Sequence, residues 1–195
     1  MPLAIPTRYG DVRITDWFYD DVEYISEKGL MVGTGPRTFS PHMSMSRAML
    51  VTVLYRLEGK PEVNSEFGMW NSEFGDLVEN AWYYDAVIWA ANNGIVEGYS
   101  SRVFGLDDPV TREQTVAILY RYAMMKGLDI SAAADLTGYS DMDEISDWAL
   151  DAMKWAVAVG IIKGRTTTTA APRGTSTRAE VPAIFRRYSE DFLSE

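Results

Sequence analysis

Arg47, Arg112 and Arg178 each directly follow a hydroxyl residue, Ser46, Thr111 or Thr177, and are spaced 65 and 66 residues apart. Each pair stands where an amphipathic helical pattern begins. A helix N-terminus carries partial positive charge and free N–H groups, so a cation there is disfavoured by roughly 0.3–1 kcal/mol. An exception made three times calls for a negative partner. One candidate is an anion held jointly by the helix-end amides and the guanidinium, and one carboxylate would suffice. The other is a protein carboxylate, from Asp11, Asp76, Asp141 or Asp16. Trp17, Trp82 and Trp148 keep the same spacing, with each indole free either to stack on a sugar or to fill the core.

Other chemistries find little support. His42 is the single histidine and cysteine is absent, so one chain assembles neither a Ser-His-Asp site nor a histidine or thiolate metal centre. The adjacent acids Asp20 and Asp21, Asp107 and Asp108, and the nearby Asp141 and Asp143 read as solvated or capping groups. Asp107 and Asp108 offer at most a weak calcium site. Gly33-Thr-Gly35 follows a helix, not a strand, and so is no phosphate loop. No cofactor is implied. A net charge of −10 and the lack of a basic stripe argue against a nucleic-acid partner. The longest apolar runs, such as 149–162 with Asp151 and Lys154 inside it, do not suit a bilayer, so no membrane insertion is expected. Residues 1–10 show no signal-peptide pattern, which for a surface protein points to a fragment of a longer chain.

The elements that position these residues recur with the same period. Gly29, Gly94 and Gly160, then Gly33, Gly98 and Gly164, then Arg56, Arg121 and Arg187, are again 65 and 66 apart, whereas Asp11, Asp76 and Asp141 are 65 apart both times. This is an internal triplication, with one residue inserted in the third copy before its Trp. Modules are expected at 9–59, 74–127 and 139–192, joined by linkers 60–73 and 128–138. Each is near the size at which a lone core becomes marginal, so the three should pack together.

Within a module, an aromatic-x-Asp lead-in precedes a first helix, about 17–28 in copy one, with Asp16 at its N-cap and Gly29 past its end. A loop follows. Its second glycine (Gly33, Gly98, Gly164) suggests a positive φ or a close backbone approach, and its Phe39 or Phe104 should return to the core. Copy three has Ala170 in that column, which predicts a looser loop. The second helix opens at Ser46, Thr111 or Thr177, the latter two with capping boxes to Gln114 and Glu180. Pro182 should disturb the third of these helices near its start.

These columns resemble the S-layer homology domain, whose Ile-Thr-Arg-Ala-Glu motif stands here as Met45-Ser-Arg-Ala-Met49, Val110-Thr-Arg-Glu-Gln114 and Ser176-Thr-Arg-Ala-Glu180. The resemblance implies an all-α fold of three helix-loop-helix repeats with short extended or 3₁₀ lead-ins, packed with pseudo-threefold symmetry as a three-pronged assembly. It implies a noncatalytic anchor that binds secondary cell-wall polymer, commonly a terminal pyruvylated N-acetylmannosamine, in grooves between repeats at the cell surface. An attached surface protein or enzyme region would lie outside this chain. The contacts carried over are Arg47, Arg112 and Arg178, Ser46, Thr111 and Thr177, Gly33, Gly98 and Gly164, and Trp17, Trp82 and Trp148. Met49 in copy one and Ala170 and Pro182 in copy three depart from the pattern, and the third groove is the one expected to be altered. A self-association module of a surface lattice is the alternative, and a wall hydrolase a third.

Overall fold

The computed structural model describes residues 7–63 and 74–192, so most of the expected linker 60–73 lies outside it. Among the described residues six helices form: α1 (Tyr19–Glu27), α2 (Arg47–Leu57), α3 (Tyr84–Asn92), α4 (Arg112–Met125), α5 (Leu150–Ala158) and α6 (Glu180–Phe192). Short 3₁₀ turns at Met142–Glu144 and Asp147–Ala149 precede α5. Among the described residues there are isolated antiparallel bridges but no strands.

The chain divides into two compact units, residues 45–176 and residues 1–44 with 177–195. In the larger unit α2 packs on α3 and α4 on α5; in the smaller, α1 packs on α6. The second helix of each copy therefore pairs with the first helix of the next, and copy three pairs back to copy one. Each pair buries apolar side chains on both helices: Val51 and Leu54 on α2 with Val87 and Ile88 on α3 are buried, as are Val22 and Ile25 on α1 with Ile184 and Phe185 on α6. A helix-loop-helix copy separated from its neighbours would expose those side chains to water, at about 25 cal/mol per Å² of apolar surface.

The first helices begin later than the sequence predicts. α1 starts at Tyr19 with Phe18 as an uncapped N-cap, and Asp16 instead accepts from the Arg13 N–H at 2.7 Å. Three-residue bonds, Tyr19 N–H to Asp16 C=O, Tyr84 to Ala81 and Ala149 to Ser146, tighten the approach, so each Trp stands on the turn before its helix. The ends agree with expectation: Gly29, Gly94 and Gly160 adopt φ of 68°, 66° and 75° where an L side chain would be strained. α6 starts at Glu180, two residues later in register than α2 and α4, because Pro182 has no N–H to return to the Arg178 carbonyl.

The loops are closed from within each copy. Asp11 accepts from the N–H groups of Phe39 and Ser40 at 2.8 and 2.7 Å, Asp76 from Phe104 and Gly105 at 2.9 and 2.8 Å, and Asp141 from Ala170 and Ala171 at 2.9 and 2.7 Å. Phe39 and Phe104 are fully buried, as expected. The third loop is not loosened by Ala170, which is itself buried and held by the same carboxylate clamp. Gly33, Gly98 and Gly164 have no positive φ; the close approach is what they serve. A Cβ on Gly33 would lie 2.7 Å from the Tyr9 ring, and one on Gly164 2.8 Å from the Tyr139 ring, with Phe74 in the same place at Gly98.

Candidate functional site

The N-termini of the second helices are not open anion sites. The N–H groups of Arg47 and Ala48 donate to Asp108 and Leu106 carbonyls at 3.0 and 3.1 Å. Those of Arg112 and Glu113 donate to Gly174 and Pro172 at 2.9 and 3.0 Å, and those of Arg178 and Ala179 to Met43 and Pro41 at 2.9 and 2.8 Å. The next N–H in each case goes to the cap hydroxyl of Ser46, Thr111 or Thr177, with the reciprocal Gln114 and Glu180 bonds in place. Loops of the neighbouring copy thus occupy the amides that the sequence offers to an anion.

The guanidinium groups follow the same route. Arg47 Nε donates to the Phe104 carbonyl at 3.0 Å and its Nη2 to Glu97 at 2.7 Å. Arg112 does the same to Ala170 and Lys163 at 3.0 and 2.6 Å, and Arg178 to Phe39 and Val32, both at 2.7 Å. Arg47 also lies over the Tyr99 and Phe104 rings at 4.6 and 4.7 Å, and Arg178 over Phe39 at 4.6 Å. All three are buried, and burial pulls the proton affinity of Arg47 and Arg178 below the usual value without discharging them. These hydrogen bonds go to carbonyl oxygens, while three of the carboxylates the sequence named, Asp76 for Arg47, Asp141 for Arg112 and Asp11 for Arg178, bear on them through charge.

One of these arginines also faces a cleft. Arg47, Glu97, Gln114, Arg121 and Trp148 surround a space of about 100 Å³ over Val96, Ala117 and Ile118. Gln114, Ala117, Ile118 and Arg121 stand at i, i+3, i+4 and i+7 on α4, one helix face. Burial is the main cause of the lowered proton affinity of Arg47, opposed by Tyr99 and Asp108 and joined by the Arg121 charge, and both arginines line the same opening. Trp148 is 55% exposed, and Trp17 and Trp82 are 65% and 58% exposed, each on its turn before a helix. Two arginines and the acid Glu97 line the opening, and a sugar ring would find an uncovered indole.

Of the twelve residues singled out from the sequence, the cleft brings together Arg47 and Trp148. Ser46, Thr111 and Thr177 are caps, and the three glycines admit the lead-in aromatics. Arg121 and Gln114 were not among the twelve, although the column of Arg56, Arg121 and Arg187 and the four-residue helical spacing both carry the signal. His42 packs edge-on to Phe18 at 6.0 Å, and Asp21 pairs with Arg186 at 3.4 Å, its acidity weakened chiefly by burial. Among the described residues no cluster of His, Asp and Glu could hold a metal, and no helix is long and apolar enough to cross a membrane.

Comparison with known families matches residues 8–48, 73–116 and 138–181 to the S-layer homology domain. The Surface-layer 125 kDa protein of Lysinibacillus sphaericus is 28% identical over 98% of this chain and 16% of its own length. The Amylopullulanase of Thermoanaerobacterium thermosulfurigenes is 31% identical over 90% of this chain and 9% of its own, and a Cellulosome-anchoring protein of Acetivibrio thermocellus 28% identical over 58% and 25%. The chain therefore spans a quarter or less of these relatives.

Proposed function

Because the chain belongs to the S-layer homology domain family, which it carries in three copies, we propose that it is a noncatalytic cell-wall anchoring module that binds secondary cell-wall polysaccharide. The favoured ligand is a pyruvylated N-acetylmannosamine terminus. The observation that carries this reading is the cleft of Arg47, Arg121 and Trp148, which offers two cations to one carboxylate beside an exposed indole. A pyruvyl ketal supplies that carboxylate, and the sugar supplies the face for the indole.

The other expected contacts belong to this proposal through the repeat. Arg112 and Arg178 repeat the Arg47 bonds, and Trp82 and Trp17 repeat the exposure of Trp148. The cyclic order of the arginine contacts is the one that a pseudo-threefold arrangement requires. Modules at 9–59, 74–127 and 139–192 remain the proposed units of repetition. An attached surface protein or enzyme would be held at the wall by this module, outside the membrane.

Cosedimentation with purified walls tests the reading. The chain should pellet with walls that carry pyruvylated polymer and stay in the supernatant with walls stripped of it. Pelleting with both would reject the polymer as the ligand.

A further inference from the structure

Among the described residues Glu113 is the only buried acid. It occupies the second position of α4, where the other two copies carry Ala48 and Ala179. An isolated buried carboxylate is costly, so its partners are informative. The Glu113 carboxylate accepts from the Ser146 N–H at 2.9 Å and from the Ser146 hydroxyl at 3.0 Å, and the positive end of α4 lies behind it. Ser146 is the N-cap of the 3₁₀ turn Asp147–Ala149, whose middle residue is Trp148, and α4 packs directly on this turn. The two groups meet 33 residues apart in sequence, from different copies. Ala48 and Ala179 have no side-chain acceptor to offer at the matching positions.

We infer that Glu113 is a positioning residue for Trp148, fixing the turn so that the indole stands preformed beside Arg47 and Arg121, and that this makes their cleft the high-affinity one for the anionic sugar. The inference rests on the glycan-binding reading above. Its physical basis is preorganisation: a side chain already ordered costs less to immobilise when the ligand arrives. Glu113 touches no ligand itself. It acts through Ser146.

The test uses the whole chain with ¹⁵N-labelled indoles, the Trp148 signal being assigned by its loss in Trp148→Phe. In Glu113→Ala, which installs the residue found in the other copies, the free protein should show a shifted Trp148 indole signal with a reduced heteronuclear NOE. Affinity for pyruvylated methyl N-acetylmannosaminide should fall about tenfold. Glu113→Gln, which keeps an acceptor for the Ser146 N–H, should restore most of both. An unchanged Trp148 signal with unchanged affinity in Glu113→Ala overturns the inference. Ser146→Ala, which removes only the hydroxyl bond, gives the same readout with a smaller shift expected, and serves if Glu113→Ala does not fold. A wild-type chain that fails to bind the sugar refutes the glycan reading instead, and the NOE of the free protein still decides whether Glu113 orders the turn.

Discussion

Arg47 and Asp76 hold the same residue, Phe104, by its carbonyl and its N–H. The Arg47 guanidinium donates to the Phe104 carbonyl at 3.0 Å, and the Asp76 carboxylate accepts from the Phe104 N–H at 2.9 Å. The same bracket recurs with Arg112, Ala170 and Asp141, and with Arg178, Phe39 and Asp11. In each case the Asp belongs to the copy that owns the loop and the Arg to the copy before it. The motif arginine is thus a docking group between copies before it is anything else.

Asp76→Ala should destabilise the protein by about 1–3 kcal/mol, because it strands the N–H groups of Phe104 and Gly105. For a chain of this size that lowers the thermal midpoint by roughly 2–4 °C per kcal/mol, which scanning calorimetry would register. An unchanged midpoint would show that the loop does not need its carboxylate clamp.

Arg47→Lys should also destabilise the fold, even though it keeps the charge. A lysine ammonium cannot reproduce the planar fork that meets the Phe104 and Glu97 carbonyls together. A loss of about 1–3 kcal/mol in denaturant unfolding is expected. Were Arg47 only a ligand contact, Arg47→Lys would weaken sugar binding and leave unfolding unchanged.

The Asp141 clamp gives the fold an acid limit. Burial opposes the charge of Asp141, but the N–H bonds from Ala170 and Ala171, with help from Arg112, outweigh it and hold its carboxyl below the usual 3.8. A folded-state value below the unfolded one means that the stabilisation is complete above the unfolded value and is lost as pH falls through the folded one. Unfolding monitored between pH 5 and pH 2, a range set by about the unfolded aspartate value, should show stability falling only in its lower part. Asp141→Asn should flatten that fall.

Trp148→Ala should leave the thermal midpoint within about 1 °C, since the indole is more than half exposed and little packing is lost. Wall-polymer affinity should drop by about tenfold or more, the scale of one lost aromatic contact. Trp155→Ala offers the contrast. That ring is buried against Tyr120 at 5.4 Å, and its removal should cost about 3–5 kcal/mol of stability.

Much of this was legible in the sequence because it repeats. The glycine ends of α1, α3 and α5, the caps at Ser46, Thr111 and Thr177, and the anchoring Phe39 and Phe104 each follow from a local rule applied three times. Local rules do not reach between copies. The sequence placed Arg47 on an open helix end, whereas the Asp108 and Leu106 carbonyls of the next copy fill that end. Asp16 looks like an N-cap in the sequence and so predicts a helix start at Trp17, yet it accepts from the Arg13 N–H and closes its own turn. The role of Arg121 is not legible in the sequence because a single arginine on an amphipathic helix is ordinary. Its significance comes from Arg47, which lines the same cleft from another helix.

Calorimetric titration with purified wall polymer, before and after mild acid removal of the pyruvyl groups, tests the central claim most directly. Binding should be present with intact polymer, disappear after the pyruvyl groups are removed, and weaken in Arg121→Ala, which takes away one of the two cations lining the cleft. Equal binding by intact and treated polymer would contradict the account, as would no binding by either. With binding absent, concentration-dependent oligomers in the ultracentrifuge would move the lattice reading ahead.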